Sequence, residues 1–266
     1  EMGQGVNHKI ATIVARTFGI DPARVRMTPT STTTVANTSA TAASTGCDLN
    51  GMAARLAAQT ILDRLLGVAR EEAGAGPETP VQIVDGQVLL AGQATSLSWE
   101  KLVARANFRR ISLSSWGFYA PDGIHFDNTR GQGSPFCYHV YGTARIEATV
   151  DLVRGTYTID RVEALHDGGD SLSPLIDRGQ AEGAILQGIG WLTCEELVYD
   201  ATGRLRSDTL STYKVPGIGD CPPQFQVEFL ADAANPKAVL GSKAIGEPPF
   251  MYGIAAWFAI QNALSS

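Results

Sequence analysis

One carboxylate is set apart by its neighbours. Residues 241–249 read Gly-Ser-Lys-Ala-Ile-Gly-Glu-Pro-Pro, which places Glu247 between a glycine and two prolines at the head of an apolar stretch. Glycine permits a sharp turn, and the proline pair fixes φ while opening a helix without wasting an amide donor. A side chain mounted in this way is held on rigid backbone, as a buried general base requires and a solvated loop carboxylate does not. The bland alternative is a helix-start carboxylate that interacts with the helix dipole. A second group, Gly3, Gln4 and Gly5, precedes a run at helical spacing and offers amide donors plus a neutral side-chain amide to an anion. Alone, so short a glycine motif reads equally as a tight turn.

Other polar groups carry less. Glu195 and Glu196 are adjacent, so on an extended chain they face opposite ways and are read as structural rather than as an acid and base pair. His8, His125, His139 and His166 show no metal-ligand spacing and are read as surface or hydrogen-bonded core residues. Cys47, Cys137, Cys194 and Cys221 form no CxxC pair, so no disulfide framework, structural zinc or iron–sulfur site is indicated. Reduced thiols of a cytoplasmic protein are expected.

The elements that must position these groups follow from periodicity. Val6, Ile10, Ile13, Val14 and Thr17 recur at helical spacing and Gly19 stops the helix. Asp21-Pro22 reads as the cap and first residue of a short turn, with a strand expected over 25–28. Residues 30–44 are small and hydroxylated and read as an extended loop. A helix is predicted over 50–72, a surface linker over 74–80, and a hairpin over 81–90 around Asp85-Gly86. Ser98 caps a short helix, and a strand is expected over 111–119. Alternation predicts an antiparallel hairpin from strands at 140–150 and 156–165, turning at Arg154-Gly155. Ala181, Ile185, Gly188 and Leu192 define a helix face, and Gly179 and Gly183 are read as close-packing glycines. A hairpin around Thr202-Gly203, a strand over 226–231 and a helix over 251–264 complete the chain. Strands and helices come without regular βαβ alternation, so the fold class is α+β: mixed antiparallel sheets packed with helices. The expectation is a single domain over 1–266, with a peripheral excursion near 74–97.

Bulk properties exclude some functions. At 266 residues and 44% hydrophobic content the chain can bury a sizeable core. A net charge of −6 without clustered Lys and Arg argues against a nucleic-acid surface. No apolar run approaches the length needed to span a bilayer.

Four stretches together carry more than any one does: Glu1-Met2-Gly3-Gln4-Gly5; residues 31–44, STTTVANTSATAAS; residues 177–183, DRGQAEG; and Gly246-Glu247-Pro248-Pro249. In this order and spacing the chain resembles the C-terminal molybdenum-cofactor-binding region of the xanthine dehydrogenase family of molybdenum hydroxylases. Residues 190–193 and 211–216 extend the likeness over nearly the whole chain, and the 31–44 segment is closest in pattern to the xanthine dehydrogenases.

The resemblance implies oxidative hydroxylation of hypoxanthine or xanthine towards urate, with water as oxygen source and Glu247 as general base. An aldehyde or another N-heterocycle is the neighbouring alternative, and a non-catalytic binding or assembly module of the same fold is the other. The cofactor implied is molybdenum-molybdopterin, with no protein side chain as an essential metal ligand. Gly3, Gln4, Gly5, Ala42, Ala43, Ser44 and Gln180 match the family's cofactor-contacting positions. Gly46 and Cys47 stand where relatives commonly carry hydroxyls. Iron–sulfur clusters, FAD, the other part of the molybdenum domain and its substrate-orienting Arg and Glu residues are implied in other domains or subunits of a homo-oligomeric enzyme. With an opening in mid-motif, the chain is read as a fragment of a longer polypeptide, inactive by itself.

Overall fold

The computed structural model describes residues 1–34 and 40–265 and divides into two compact units, one formed by residues 1–137 with 237–240 and the other by 138–236 with 241–266. Two units stand where the sequence suggested a single domain.

In the first unit, α1 (Val6–Phe18) is bounded by glycines in the left-handed region, Gly5 at φ 79° and Gly19 at φ 67°. The Gly19 N–H closes the last turn on Ala15 and Arg16 carbonyls. Asp21 caps the 3₁₀ turn Pro22–Arg24 by accepting the Ala23 N–H at 2.8 Å. A π-turn, Cys47–Gly51, leads into α2 (Met52–Glu72). Three antiparallel strands follow, β1 (Val81–Val84), β2 (Gln87–Leu90) and β3 (Gln93–Ser98), in the order β1-β2-β3. Asp85 and Gly86 both take positive φ, the two-residue turn that matches strand twist. Ser98 then caps α3 (Trp99–Phe108) by accepting the Lys101 N–H. Phe18, Leu65, Val68, Val81, Val88, Leu102 and Ala106 form one buried cluster. The hairpin read as a peripheral excursion thus supplies Val81 and Val88 to the core.

Two expected strands are not formed. Residues 25–28 run into Pro29 without a pairing partner. Residues 111–119 form no strand among the described residues; there the Ser112 and Ser114 carbonyls both accept from Arg64 Nη1 at 3.0 Å. A Cβ at Gly117 would lie 2.1 Å from the Ala53 carbonyl oxygen, so this stretch lies directly on α2. A short hairpin not foreseen, β4 (His125–Asp127) with β5 (Gln132–Ser134), follows.

The second unit is built on β6 (Gly142–Asp151), β7 (Thr156–His166) and β8 (Gln224–Phe229). β6 and β7 form the predicted antiparallel hairpin, and β8 adds parallel to β7 after the crossover helix α4 (Pro174–Thr193). A 3₁₀ segment, Pro248–Gly253, runs into α5 (Ile254–Ser265). Ile159, Val162 and Val227 of the sheet, Ala181, Ile185 and Ile189 of α4, and Ala256 of α5 make its core. The α+β class therefore holds, with a single parallel pair in an otherwise antiparallel set of described strands. No helix among the described residues is long and apolar enough to cross a membrane.

The glycines of α4 divide into two kinds. Gly179 and Gly183 have nothing within 4 Å of the position a Cβ would take, so they are not the packing devices expected. The close approach occurs at Gly188, where a Cβ would sit 2.1 Å from the Phe250 carbonyl oxygen, and at Gly253, 2.3 Å from the Gly188 carbonyl carbon. Gly188→Ala should destabilise the protein by about 1–3 kcal/mol through overpacking. Gly179→Ala should instead stabilise it by about 0.5–1 kcal/mol. Urea unfolding midpoints of the two variants check the contrast.

Candidate functional site

In the first unit the residues that the sequence suggested as cofactor contacts, Gly3, Gln4 and Gly5, lie at the start of α1. Gly3, at φ 110°, and Gly5, at φ 79°, bend the chain just before the helix, and nothing lies within 4 Å of a Cβ position at Gly3. Gln4 is half-buried; its Oε1 accepts the Met2 N–H at 2.6 Å, which leaves the Nε2 donors for another partner. The Asn7 N–H, in the first turn, is taken by the Glu1 carboxylate at 2.6 Å. An anionic group is thus already accommodated at this helix terminus, as orphan amides and the dipole favour.

Ala42, Ala43 and Ser44 come to the same place. A Cβ at Gly46 would lie 3.3 Å from Val6 Cγ1, so this segment packs on the first turn of α1. Ala43 and Ser44 take φ of 56° and 51°, a left-handed conformation that costs about 1–2 kcal/mol per non-glycine residue. Ala42 and Ala43 are exposed and Ser44 is half-buried, and the Thr45 hydroxyl reaches back to the Ala42 carbonyl at 3.4 Å. Residues 35–39, in the middle of the hydroxyl-rich segment, lie outside the described residues. The strain sits on a bare, methyl-lined turn between two helix starts, the sort of place where backbone strain accompanies ligand binding. The donor set is uncharged and made of amides and small side chains, which suits an anionic organic cofactor lying against the backbone. No His/Cys/Asp/Glu group able to hold a metal ion occurs among the described residues.

In the second unit, Gln180 is half-buried on α4 between the open glycines Gly179 and Gly183. It precedes Gly188 by about 12 Å of helix axis at 1.5 Å per residue. Glu247 is mounted towards the other end of α4, where Pro249 is buried and Phe250 meets Gly188 and lies tilted against Trp191, ring centroids 5.4 Å apart. Gln180 thus sits on α4 itself, and the segment that follows Glu247 packs on the same helix at Gly188.

Glu247 is exposed, where the sequence suggested a buried base. It occupies the N-cap position of the 3₁₀ segment, but its carboxylate makes no cap hydrogen bond; only its carbonyl is used, accepting from Phe250 N–H at 3.0 Å. The dipole-capping alternative thus finds no hydrogen bond, and the carboxylate has no other partner among the described residues.

A buried polar cluster that the sequence did not signal lies beside this mount. Asp167 and Lys243 form an ion pair with side chains 7% and 12% exposed. Lys243 Nζ also donates to the His139 carbonyl at 3.3 Å. Fully buried His166 has Nδ1 2.8 Å from the Tyr252 hydroxyl. Burial, reinforced by the Asp167 charge, pushes the Tyr252 phenol up to about 12, so it remains protonated. Burial also lowers the His166 pKa, outweighing Asp167, which acts to raise it. Glu195, read as structural, is bound by the Tyr213 hydroxyl.

Residues 1–222 match the family model described as molybdopterin cofactor-binding domain. The chain is 39% identical over 269 residues to xanthine dehydrogenase of Dictyostelium discoideum and 40% identical over 266 residues to xanthine dehydrogenase/oxidase of Gallus gallus. Each match covers 100% of this chain and 18% of the relative, so the chain spans about a fifth of those proteins. Among solved structures, quinoline 2-oxidoreductase from Pseudomonas putida 86 superimposes with a TM-score of 0.84 at 25% identity, over 100% of this chain and 33% of that one. Aldehyde oxidoreductase from Desulfovibrio gigas shares the fold, with a TM-score of 0.75 at 24% identity over 99% of this chain and 26% of that one.

Two measurements follow. Ala43→Gly removes a left-handed strain and should raise unfolding free energy by about 0.5–1 kcal/mol, the strain relieved less the added chain entropy; urea unfolding tests it. His166 is neutral in the fold and has a lowered pKa. Below the ordinary imidazole value of 6.5 the unfolded chain binds a proton that the folded chain refuses, so this group's contribution to stability falls as pH falls through 6.5. His166→Gln should lose that part of the slope in unfolding curves recorded from pH 7.5 downward.

Proposed function

The chain belongs to the molybdopterin cofactor-binding domain family, and from that premise we propose that it is the Glu247-bearing part of a molybdenum hydroxylase that oxidises hypoxanthine or xanthine towards urate. The observation that carries the proposal is the state of Glu247: a carboxylate on a rigid mount, exposed and committed to no hydrogen bond. The family match ends at residue 222, so the base assignment draws instead on the Gly246-Glu247-Pro248-Pro249 motif and on relatives matched over the whole chain. That those relatives are xanthine dehydrogenases supports the purine substrate.

In this reading Gly3, Gln4 and Gly5 offer amide donors to the anionic parts of the molybdenum-molybdopterin cofactor. Ala42, Ala43 and Ser44 let it approach the backbone, and Gln180 supplies a further amide. When bound, the cofactor supplies the redox centre at which oxygen derived from water is transferred to the substrate carbon. Glu247 accepts a proton on a carboxylate oxygen during that transfer and releases it afterwards. The Pro248-Pro249 mount fixes the backbone from which the carboxylate projects, which limits the reorganisation needed at the moment of proton transfer. The enzyme is a cytoplasmic homo-oligomer with iron–sulfur and FAD domains or subunits, and the 266-residue chain alone does not turn over.

Glu247→Gln in the full-length protein should lower kcat for xanthine by about 10²–10⁴-fold, the range for loss of a general base, with molybdenum content unchanged. Near-normal turnover would end the base assignment. Faster oxidation of an aldehyde or of quinoline than of xanthine would replace the purine reading, and absence of both molybdenum and turnover would favour a binding module.

A further inference from the structure

Glu247 is flanked, four residues before and five after, by the two side chains that anchor its segment to the end of β7. Lys243 pairs with Asp167, and Tyr252 meets His166, so the last residue of β7 and the one after it hold both sides of the Glu247 turn. The backbone is tied in parallel. Lys243 N–H donates to the Gly168 carbonyl at 3.1 Å, Ala244 N–H donates to the Tyr138 hydroxyl at 2.9 Å, and Asn235 Nδ2 donates to the Ser242 carbonyl at 3.2 Å. Ser242 and Ile245 are buried, yet Glu247 two residues later is exposed. Room for the second anchor is made by a glycine: a Cβ at Gly142 would lie 1.8 Å from the Tyr252 hydroxyl.

A buried ion pair adds little net stability over an apolar pair of equal volume, because desolvation offsets attraction. What it does supply is a demand for one geometry, since a displaced Lys243 would leave Asp167 uncompensated in a dry site. The hydroxyl of Tyr252 imposes a similar demand on the far side. The Tyr252 ring packs against the core around Ile159 and Ile185, but its hydroxyl and the Asp167–Lys243 pair lie outside that apolar cluster.

We infer that His166 and Asp167, acting through Tyr252 and Lys243, are positioning residues that fix the Glu247 turn for proton transfer. The inference rests on the reading of Glu247 as the base. It assigns a reaction-specific role to a cluster that otherwise looks like ordinary core polarity.

The test uses the full-length protein, with xanthine as substrate and molybdenum content and hydrogen exchange of residues 241–253 measured alongside. Tyr252→Phe and Lys243→Met should each lower kcat by about tenfold or more, leave KM within about twofold, keep molybdenum content, and speed exchange across 241–253. Lys243→Arg, which keeps the charge Asp167 needs, should recover most of the kcat. If Lys243→Met does not fold, Tyr252→Phe decides, since it removes only a hydroxyl. Unchanged kcat in these variants, or a loss that merely tracks molybdenum content, would overturn the positioning role while Glu247→Gln still reports on the base. Near-normal turnover of Glu247→Gln would overturn the base assignment and this inference with it.

Discussion

The second unit depends on one strand that has no free edge. β7 is bonded to β6 on one side and to β8 on the other, and α4 and α5 contribute to the core on its buried face. A strand so enclosed has a fixed register, because a slip of one residue would turn Val162 and Ala164 out of the core and Glu163 into it. Its last residue is therefore a fixed point. His166, at that end, is fully buried, and the chain beyond it pairs across Gly169 with Ser242 to begin the stretch leading to Glu247. The order of dependence runs from sheet register, to the end of β7, to the 241–253 segment, to the carboxylate.

The first unit solves a different problem by different means. There the residues proposed to contact a cofactor hang on helix starts and a strained turn, with Gly46 letting one segment lie on Val6 of the other. Main-chain amides and small side chains are directed there by backbone conformation, and no charged side chain has to be held in place. In the second unit the proposed base is a single charged side chain, Glu247, and buried polar groups tie down the segment that carries it. Binding of an anionic group by amides tolerates small shifts, whereas proton transfer does not.

Much of this was legible because it is local. Gly5, Gly19, Asp21 and Ser98 announce helix ends by chemistry confined to a few residues, and Asp85-Gly86 announces its turn in the same way. The 111–119 strand was misread because its hydrogen-bonding partner is a side chain, Arg64, some fifty residues earlier, which no periodicity reveals. The role of the α4 glycines was misassigned for a related reason: spacing shows that a glycine lies on a face, and only the approach of Phe250 shows which one is crowded. The positioning cluster was hidden most completely. Lys243 lies within the motif that drew attention to Glu247, yet its partner is 76 residues away, and Tyr252 is 86 residues from His166.

The Asp167–Lys243 pair also gives the Glu247 mount an unusual response to heat. Hydration of charged groups weakens as temperature rises, so the desolvation penalty of a buried pair shrinks, while apolar stabilisation per unit area levels off. Within the second unit, the packing of α4 against the sheet and the tie beneath Glu247 accordingly follow different temperature laws. Warming therefore leaves the charged tie relatively stronger beside apolar contacts that gain nothing further, so the segment bearing Glu247 leans more on its ion pair as temperature rises.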